Sequence, residues 1–237
     1  MTVNSNSFRS IRGLTAWLVR FTIFSIVLGT ISLATMIYLD LILDYNRSFE
    51  SISRLTENLQ TLITIIVVSI TLFWYYWASK NILSFGAKEV TSPIMALIWW
   101  IVPIFFFWKP YDVTQQIWKA SDPEINLTDG TEWQNVPDAN IITIWWILIL
   151  AFVFNALILY GFQDYFVDSE QSWGTIQIML FAIMTILILS ASIIIEIYFI
   201  RIVGQISTWQ DLKYSNLSGH KSVKRSEIIH SVLLHPI

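Results

Sequence analysis

The chain has 237 residues, of which 55% are hydrophobic and only 13% are charged, whereas soluble globular proteins carry about a quarter charged residues. This composition excludes an ordinary water-soluble protein and, with 12 tryptophans and 15 phenylalanines, indicates a membrane protein with aromatic residues at its interfaces. A net charge of −3 argues against binding to nucleic acid. The absence of cysteine excludes disulfides, thiolate metal sites and a cysteine nucleophile.

Five segments without a charged residue follow one another along the chain, at 21–39, 58–79, 90–108, 139–163 and 171–195. Each is close to the roughly 20 apolar residues that a helix needs to cross the hydrocarbon core. Three arginines precede the first segment. Because its apolar run is too long for a signal peptide and no small-residue cleavage site closes it, we interpret it as a retained signal anchor.

The distribution of lysine and arginine predicts how many segments cross the membrane. With five crossings and the N-terminus inside, nine of the 14 basic residues lie outside; the reverse orientation places nine inside. With four crossings, twelve lie inside and only Arg47 and Arg54 outside, as the positive-inside rule favours. The sequence therefore predicts spans at about 14–39, 59–79, 140–163 and 172–200 in a plasma membrane. We assign residues 14–205 to a single membrane domain and 1–13 and 206–237 to cytoplasmic tails.

The segment at 90–108 is then the one that does not cross. Pro93 and Pro103 each remove a backbone donor and obstruct a helix, and a broken helix at membrane depth needs protein or water to satisfy its freed groups. We predict a re-entrant or interfacial segment, with an ordinary kinked crossing helix as the alternative. Pro110, directly after Lys109, suits the first turn of a further helix.

Residues 110–121 have an amphipathic pattern. Val113, Ile117 and Trp118 fall on one side of a helix, while Asp112, Gln115, Gln116 and Lys119 face elsewhere. This pattern predicts a short helix in the plane of the membrane. The complete expectation is an all-α integral membrane protein with four transmembrane helices, a Pro-broken segment and this in-plane helix.

An ordered string of short motifs carries a family resemblance. It comprises Trp74-Tyr-Tyr-Trp-Ala-Ser-Lys-Asn81, Ser92-Pro93, Trp99-Trp100-Ile-Val-Pro103, Lys109-Pro110-Tyr111 and Trp118-Lys-Ala-Ser121. The string resembles the prokaryotic membrane family catalogued as domain of unknown function 4328, over roughly residues 60–205. Two positions depart from that family's usual pattern, because Trp77 replaces an arginine and Phe106 an asparagine. The resemblance implies a membrane architecture and no established activity; if those two polar residues form a site in relatives, this chain has either lost or changed it.

The candidate functional or packing residues of the third segment come from this string: Pro93, Trp99, Trp100, Pro103, Lys109, Pro110 and Tyr111. Glu196 is the ionisable candidate, because it follows a long apolar run and an acid near membrane depth is costly. It is either a proton or cation ligand, or an interfacial residue that pairs with Arg201 or Lys80.

Two further helix positions suggest contacts between helices. Asn155 lies near the middle of the fourth apolar segment, where an amide either bonds to a neighbouring helix or contacts a substrate. Ser25 and Gly29 form a small-residue pair that predicts a contact face on the first helix.

The polar segments offer a docking surface more readily than a catalytic site. Residues 122–138 form an acidic loop and a candidate partner contact, with a solvated loop as the alternative. His220, His230 and His235 lie ten and five residues apart, which is unsuited to a helix-borne zinc pair. We therefore expect no metal and no cofactor.

The leading functional hypothesis is a non-catalytic accessory or scaffold subunit of a membrane complex, because few residues suited to acid–base chemistry lie outside the tail. It predicts contacts with membrane lipids and with a protein partner or further copies of the chain. One alternative is a small oligomeric transporter or channel that uses the Pro-broken segment. Another is a protein that binds a lipid, quinone or pigment among its tryptophans.

Overall fold

The structure, a computed structural model, describes residues 8–42, 47–167 and 175–218. Its regular elements in these ranges are helical. They are α1 (Arg12–Ile42), α2 (Arg47–Ser84), α3 (Pro93–Ile101), α4 (Pro103–Phe106), α5 (Lys109–Ser121), α6 (Asn140–Val167) and α7 (Thr175–Leu217), with a 3-10 turn at Glu132–Asn135. The predicted all-α fold class is confirmed.

Four of the described helices are long and apolar enough to cross a membrane. The qualifying stretches are Arg12–Ser32, Arg54–Ser84, Asn140–Ile158 and Ser190–Leu217, in α1, α2, α6 and α7. They match the four predicted spans in number and order. The last helix differs in length, because α7 continues to Leu217 although the sequence places the end of its span near residue 200.

The third apolar segment is divided into two short helices at Val102. Val102 has an extended backbone (φ −83°, ψ 112°) and is followed by Pro103, the first residue of α4. Pro103 interrupts the helix because its ring clashes with the backbone of the preceding turn and disfavours a helical conformation at Val102. Pro93 does not interrupt one: it is the first residue of α3, where a missing N–H is harmless, and Ser92 caps that helix by accepting from Met95 N–H.

The chain divides into two compact units, Met1–Pro137 with Gly204–Ile237, and Asp138–Val203. In the first unit, α1 packs against α2 through a buried stripe at helical spacing, made of Ile11, Thr15, Leu18, Thr22 and Ser25. Trp74 Nε1 donates to Thr15 Oγ1 at 3.0 Å, and Gln60 Nε2 donates to Ser25 Oγ at 3.0 Å.

The predicted contact face at Ser25 and Gly29 is confirmed. A Cβ placed on Gly29 would lie 4.0 Å from the side-chain amide of Gln60. Ser25 and Gly29 therefore both face Gln60 of α2, as such pairs do where membrane helices meet.

Helix α5 forms where the sequence predicts it, but more of its surface is buried than the amphipathic pattern indicates. Gln115 and Lys119, expected on the polar face, are buried together with Val113 and Ile117. Tyr75 on α2 shares a 2.9 Å hydrogen bond with Thr114, and Trp118 packs edge-on against Trp209 of α7 at 4.7 Å. Helix α5 is thus surrounded largely by protein.

The second unit consists of α6 and the beginning of α7. The rings of Trp145 and Phe199 stack at 5.6 Å and 15° between these two helices. The apolar side chains of α6 that remain exposed include Ile147, Leu157 and Tyr160, as expected for a helix that faces lipid.

Candidate functional site

A buried polar cluster joins α2, α5 and α7 in the first unit. We call it the polar junction and define it by Asn81, Ser121, Gln210 and Lys213. All four are buried, and Gln210 is fully enclosed. Buried polar groups are costly unless they are hydrogen-bonded, so their bonding partners determine what the cluster can do.

Gln210 connects the three helices through its side-chain amide. Its Nε2 donates to the carbonyl of Ala78 on α2 and to Ser121 Oγ at the end of α5, both at 3.0 Å. Its Oε1 accepts from Asn81 Nδ2 at 2.7 Å. Both donors of this amide are therefore used inside the fold.

Asn81 attaches the N-terminal segment to the same cluster. Its Nδ2 donates to the carbonyl of Arg9 at 2.8 Å, and its Oδ1 accepts from Arg9 N–H at 3.1 Å. Next to Arg9, Phe8 stacks on Tyr214 of α7 at 4.1 Å. The segment before α1 is thus held by α2 and by the end of α7.

Lys213 binds the loop that follows α5. Its ammonium group donates to the carbonyls of Ala120, Asp122 and Ile125 at 2.8, 2.9 and 2.9 Å. An ammonium group has three donors, so all of them are satisfied by backbone oxygens. The cation closes the C-terminus of α5, where helix carbonyls lack partners.

A cavity of about 380 Å³ opens beside Lys213. Its lining combines apolar side chains such as Phe85, Leu127 and Leu217 with the exposed Asn126 and Asn216. Since the donors of Lys213 are already used, the amides of Asn126 and Asn216 and the hydroxyl of Thr128 are the side-chain groups left to bind a ligand. The cavity lacks the convergent buried polar groups that usually orient a substrate.

The acidic loop is held in one shape by a separate set of bonds. Lys88 N–H donates to the carbonyl of Gly130 at 2.7 Å, and Trp133 Nε1 donates to the carbonyl of Lys88 at 3.0 Å. Within the loop, the Glu132 carboxylate accepts from the N–H groups of Asp129 and Gly130 at 2.6 and 2.9 Å. These hydrogen bonds stabilise the ionised carboxylate and lower the pKa of Glu132 below its ordinary value; the bond from Asp129 N–H has the largest effect.

The predicted residues of the third segment lie in an aromatic cluster. Trp99 meets Phe105 at 4.6 Å, and Trp100 packs against Tyr75 of α2 at 5.3 Å and against Phe106 at 6.2 Å. The backbone at the break is bonded locally, because Val102 N–H donates to Ile98 and its carbonyl accepts from Phe106.

The basic-Pro-Tyr motif begins α5. Lys109 is its first residue and pairs with Asp112 at 3.5 Å, Pro110 is buried, and Tyr111 OH accepts from Gln115 at 3.3 Å. These three residues start and support a helix, as the motif's spacing predicts.

The structure does not bring Glu196, Arg201 and Asn155 into one site. Glu196 is partly buried, and its Oε2 has no hydrogen-bond partner among the described residues. Arg201 is exposed, and no ion pair joins it to Glu196 in the described part of the chain. Asn155 is exposed and donates to the carbonyl of Ala151 in its own helix at 2.8 Å.

Gln210 and Lys213 are not among the residues predicted from the sequence, because both fall in the segment assigned to the C-terminal tail. A signal was present in the sequence. Ile202, Ile206, Trp209 and Leu212 continue a helical apolar spacing beyond the last span, and all four are buried. The three histidines lie outside the described residues, within which no group of three or more acidic or histidine side chains could hold a metal ion.

Comparison with known families matches most of the chain to one family's model. The model described as domain of unknown function (DUF4328) matches residues 44–208. The matched range contains Asn81 and Ser121, whereas Gln210 and Lys213 follow directly after it. No curated protein and no solved structure matches the chain.

Proposed function

The chain belongs to the family described as domain of unknown function 4328, and we propose that it is a non-catalytic accessory or scaffold subunit of a membrane complex. The observation that carries the proposal is how the polar junction uses its buried donors. The amides of Asn81 and Gln210 and the ammonium of Lys213 direct every N–H into the fold. Such saturated groups fix a shape and leave no donor for a substrate.

The shape that they fix presents the acidic loop at 122–138. Lys213 holds the start of the loop at Asp122 and Ile125, and the Gly130–Lys88 bond holds its middle. Glu124, Asp129 and Asp138 lie exposed on it. A loop that is ordered before binding loses less entropy when a partner docks. The proposed partner is a protein with a basic surface at the membrane boundary.

The same contacts support a cytoplasmic location for this end of the molecule. The polar junction gathers the segment before α1, the end of α2, the end of α5 and the end of α7. Chain segments that touch one another lie on the same side of a membrane. Most of the lysines and arginines belong to this side, and by the positive-inside rule such a side is cytoplasmic. We place the protein in the plasma membrane with both termini inside.

The broken third segment gives less support to transport. A pathway would require freed backbone groups or polar side chains at the break. At Val102 the backbone is bonded to Ile98 and Phe106, and the surrounding side chains are aromatic. The accessory role is therefore the better supported of the two.

The test is purification of the full-length protein from native membranes in mild detergent, followed by mass spectrometry of the intact particle. We expect a foreign subunit in stoichiometric amount, and its loss when Glu124→Gln, Asp129→Asn and Asp138→Asn are combined. The matched control is Glu57→Gln, which removes an exposed acid from α2 and should leave the particle intact. A particle that contains only this chain would overturn the proposal and favour transport by a homo-oligomer.

A further inference from the structure

Two cationic side chains share one tryptophan ring at the end of α2. The guanidinium carbon of Arg9 lies 4.6 Å from the ring centroid of Trp77, and Lys80 Nζ lies 4.8 Å from the same centroid. Lys80 Nζ also lies 5.8 Å from the ring of Tyr76. We call Arg9, Trp77 and Lys80 the cation clamp. Because both cations lie close to the same ring, they also lie close to each other, and their like charges repel.

The structure holds this arrangement in place from both sides. The backbone of Arg9 is bound in both directions by the buried Asn81, and the neighbouring Phe8 is stacked on Tyr214. Lys80 lies on α2, one helical turn after Tyr76. The fold therefore positions the backbone that carries each cation, and the ring of Trp77 holds both charged groups beside it.

The neighbouring acid does not neutralise the clamp. The Asp211 carboxylate is bound to Arg12 at 2.6 Å and to Ser10 Oγ at 3.1 Å. Among the described residues, no carboxylate forms an ion pair with Arg9 or Lys80. Each cation is attracted to the ring of Trp77, but the pair still carries two like charges without an acid, so an anion that contacts both cations is bound favourably.

The position of the clamp identifies the anion. Arg9 precedes the apolar stretch Arg12–Ser32, and Lys80 lies close to the end of the stretch Arg54–Ser84. The clamp thus lies where lipid headgroups meet the two helices, with tryptophan at the boundary as in other membrane proteins. Basic groups between helices at the cytoplasmic side bind anionic headgroups. We propose that the cation clamp binds the phosphate of an anionic phospholipid.

The test measures retention of lipid by the full-length protein in detergent, using native mass spectrometry with phosphatidylglycerol and with phosphatidylcholine. We expect one phosphatidylglycerol to bind tightly and phosphatidylcholine to bind weakly. Arg9→Gln with Lys80→Gln should weaken phosphatidylglycerol binding about 30-fold, because each basic residue at an anionic surface contributes about fivefold. Arg9→Lys with Lys80→Arg keeps both charges and should retain most of the affinity.

The matched control is Arg20→Gln with Lys88→Gln, which removes the same charge from exposed positions of the same unit and leaves both the clamp and the Arg12–Asp211 pair intact. Equal loss of affinity in the control would mean a diffuse charge effect and overturn the site, as would unchanged binding by the clamp variant. Displacement of the lipid by excess inorganic phosphate would reassign the clamp to a free phosphate. Should the double variant not fold, Arg9→Gln and Lys80→Gln alone should each weaken binding about fivefold; no loss in either would overturn the site.

Discussion

Gln210 shows how much of this structure depends on single polar side chains. Its amide bonds Ala78, Asn81 and Ser121, which come from two other helices and lie far away in sequence. When this amide is removed, its buried partners lose their hydrogen bonds. Leaving them unsatisfied costs more free energy than the bonds themselves contribute to stability. Replacing Gln210 should therefore lower the free energy of unfolding more than replacing an amide on the surface does.

We predict that Gln210→Leu lowers the free energy of unfolding by about 1–3 kcal/mol. Asn155→Leu is the control, since that amide is exposed and bonds only within its own helix, and it should change the stability little. Thermal unfolding of both purified variants in the same detergent measures the difference. Equal melting temperatures for the two variants would contradict the role given to the polar junction.

Glu132 makes the acidic loop sensitive to pH. The backbone N–H groups of Asp129 and Gly130 stabilise its ionised form and lower its pKa when the protein is folded. The stabilisation is thus fully present above the carboxyl's ordinary pKa of about 4.3. It is lost as the pH falls through the lowered pKa of the folded state.

We predict that the difference in melting temperature between the wild type and Glu132→Gln is constant near neutral pH. The difference should shrink on acidification below the ordinary carboxyl pKa, because a protonated Glu132 and a glutamine both lack the charge that these N–H groups favour. Melting curves of both proteins over a pH series give the measurement. A difference that does not change down to the most acidic pH would show that the carboxylate's charge is unimportant.

The docking of the acidic loop depends on a glycine. Gly130 has a positive φ of 90°, and a Cβ there would lie 2.5 Å from the carbonyl oxygen of Gly86 and 2.8 Å from Lys88 Cγ. An alanine would therefore be strained in its backbone and would collide with the chain that the loop rests on. This close approach connects the loop element to the end of α2.

We predict that Gly130→Ala destabilises the protein by about 1–3 kcal/mol and increases proteolysis within residues 122–138. Gly204→Ala serves as the control, since nothing lies within 4 Å of a Cβ added there and alanine favours a helix by up to about 1 kcal/mol. Limited proteolysis and thermal unfolding compare the two. A Gly130→Ala protein as resistant as the wild type would contradict the close packing of the loop.

The helices themselves could be predicted from the sequence because their causes are local. Apolar runs indicate α1, α2, α6 and α7, and Pro103 and Pro110 mark where two short helices begin. Burial of the polar face of α5 could not be predicted, since it depends on which helices surround it. Gln115 and Lys119 are buried by neighbours that no local pattern identifies.

The candidate site was predictable only in part, for the same reason. Asn81 and Ser121 were visible as parts of a motif, but their common partner Gln210 lies 129 and 89 positions away. Long-range contacts of this kind follow from the packing of the whole molecule. Assigning residues 206–237 to a tail concealed the continuation of α7, and with it the two polar side chains that complete the cluster.

At the scale of the whole molecule, the polar junction limits the chain to an even number of membrane crossings. The end of α2 and the end of α5 are bonded to one point on α7, so the segment between them begins and ends on the same side. The start of α1 is bonded there as well. An even number of crossings follows, which agrees with the four long apolar helices and with the charge distribution.

We predict that alkaline phosphatase fused between α6 and α7 is active outside the cell, as is a fusion between α1 and α2. Fusions within 122–138 and after Leu217 should be inactive, because the polar junction keeps both positions on the side that we propose to be cytoplasmic. Immunoblots of each fusion control for expression. An active enzyme at 122–138 would mean that residues 90–108 cross the membrane, and the bonds from Gln210 to Ala78 and Ser121 could not then form in the same molecule.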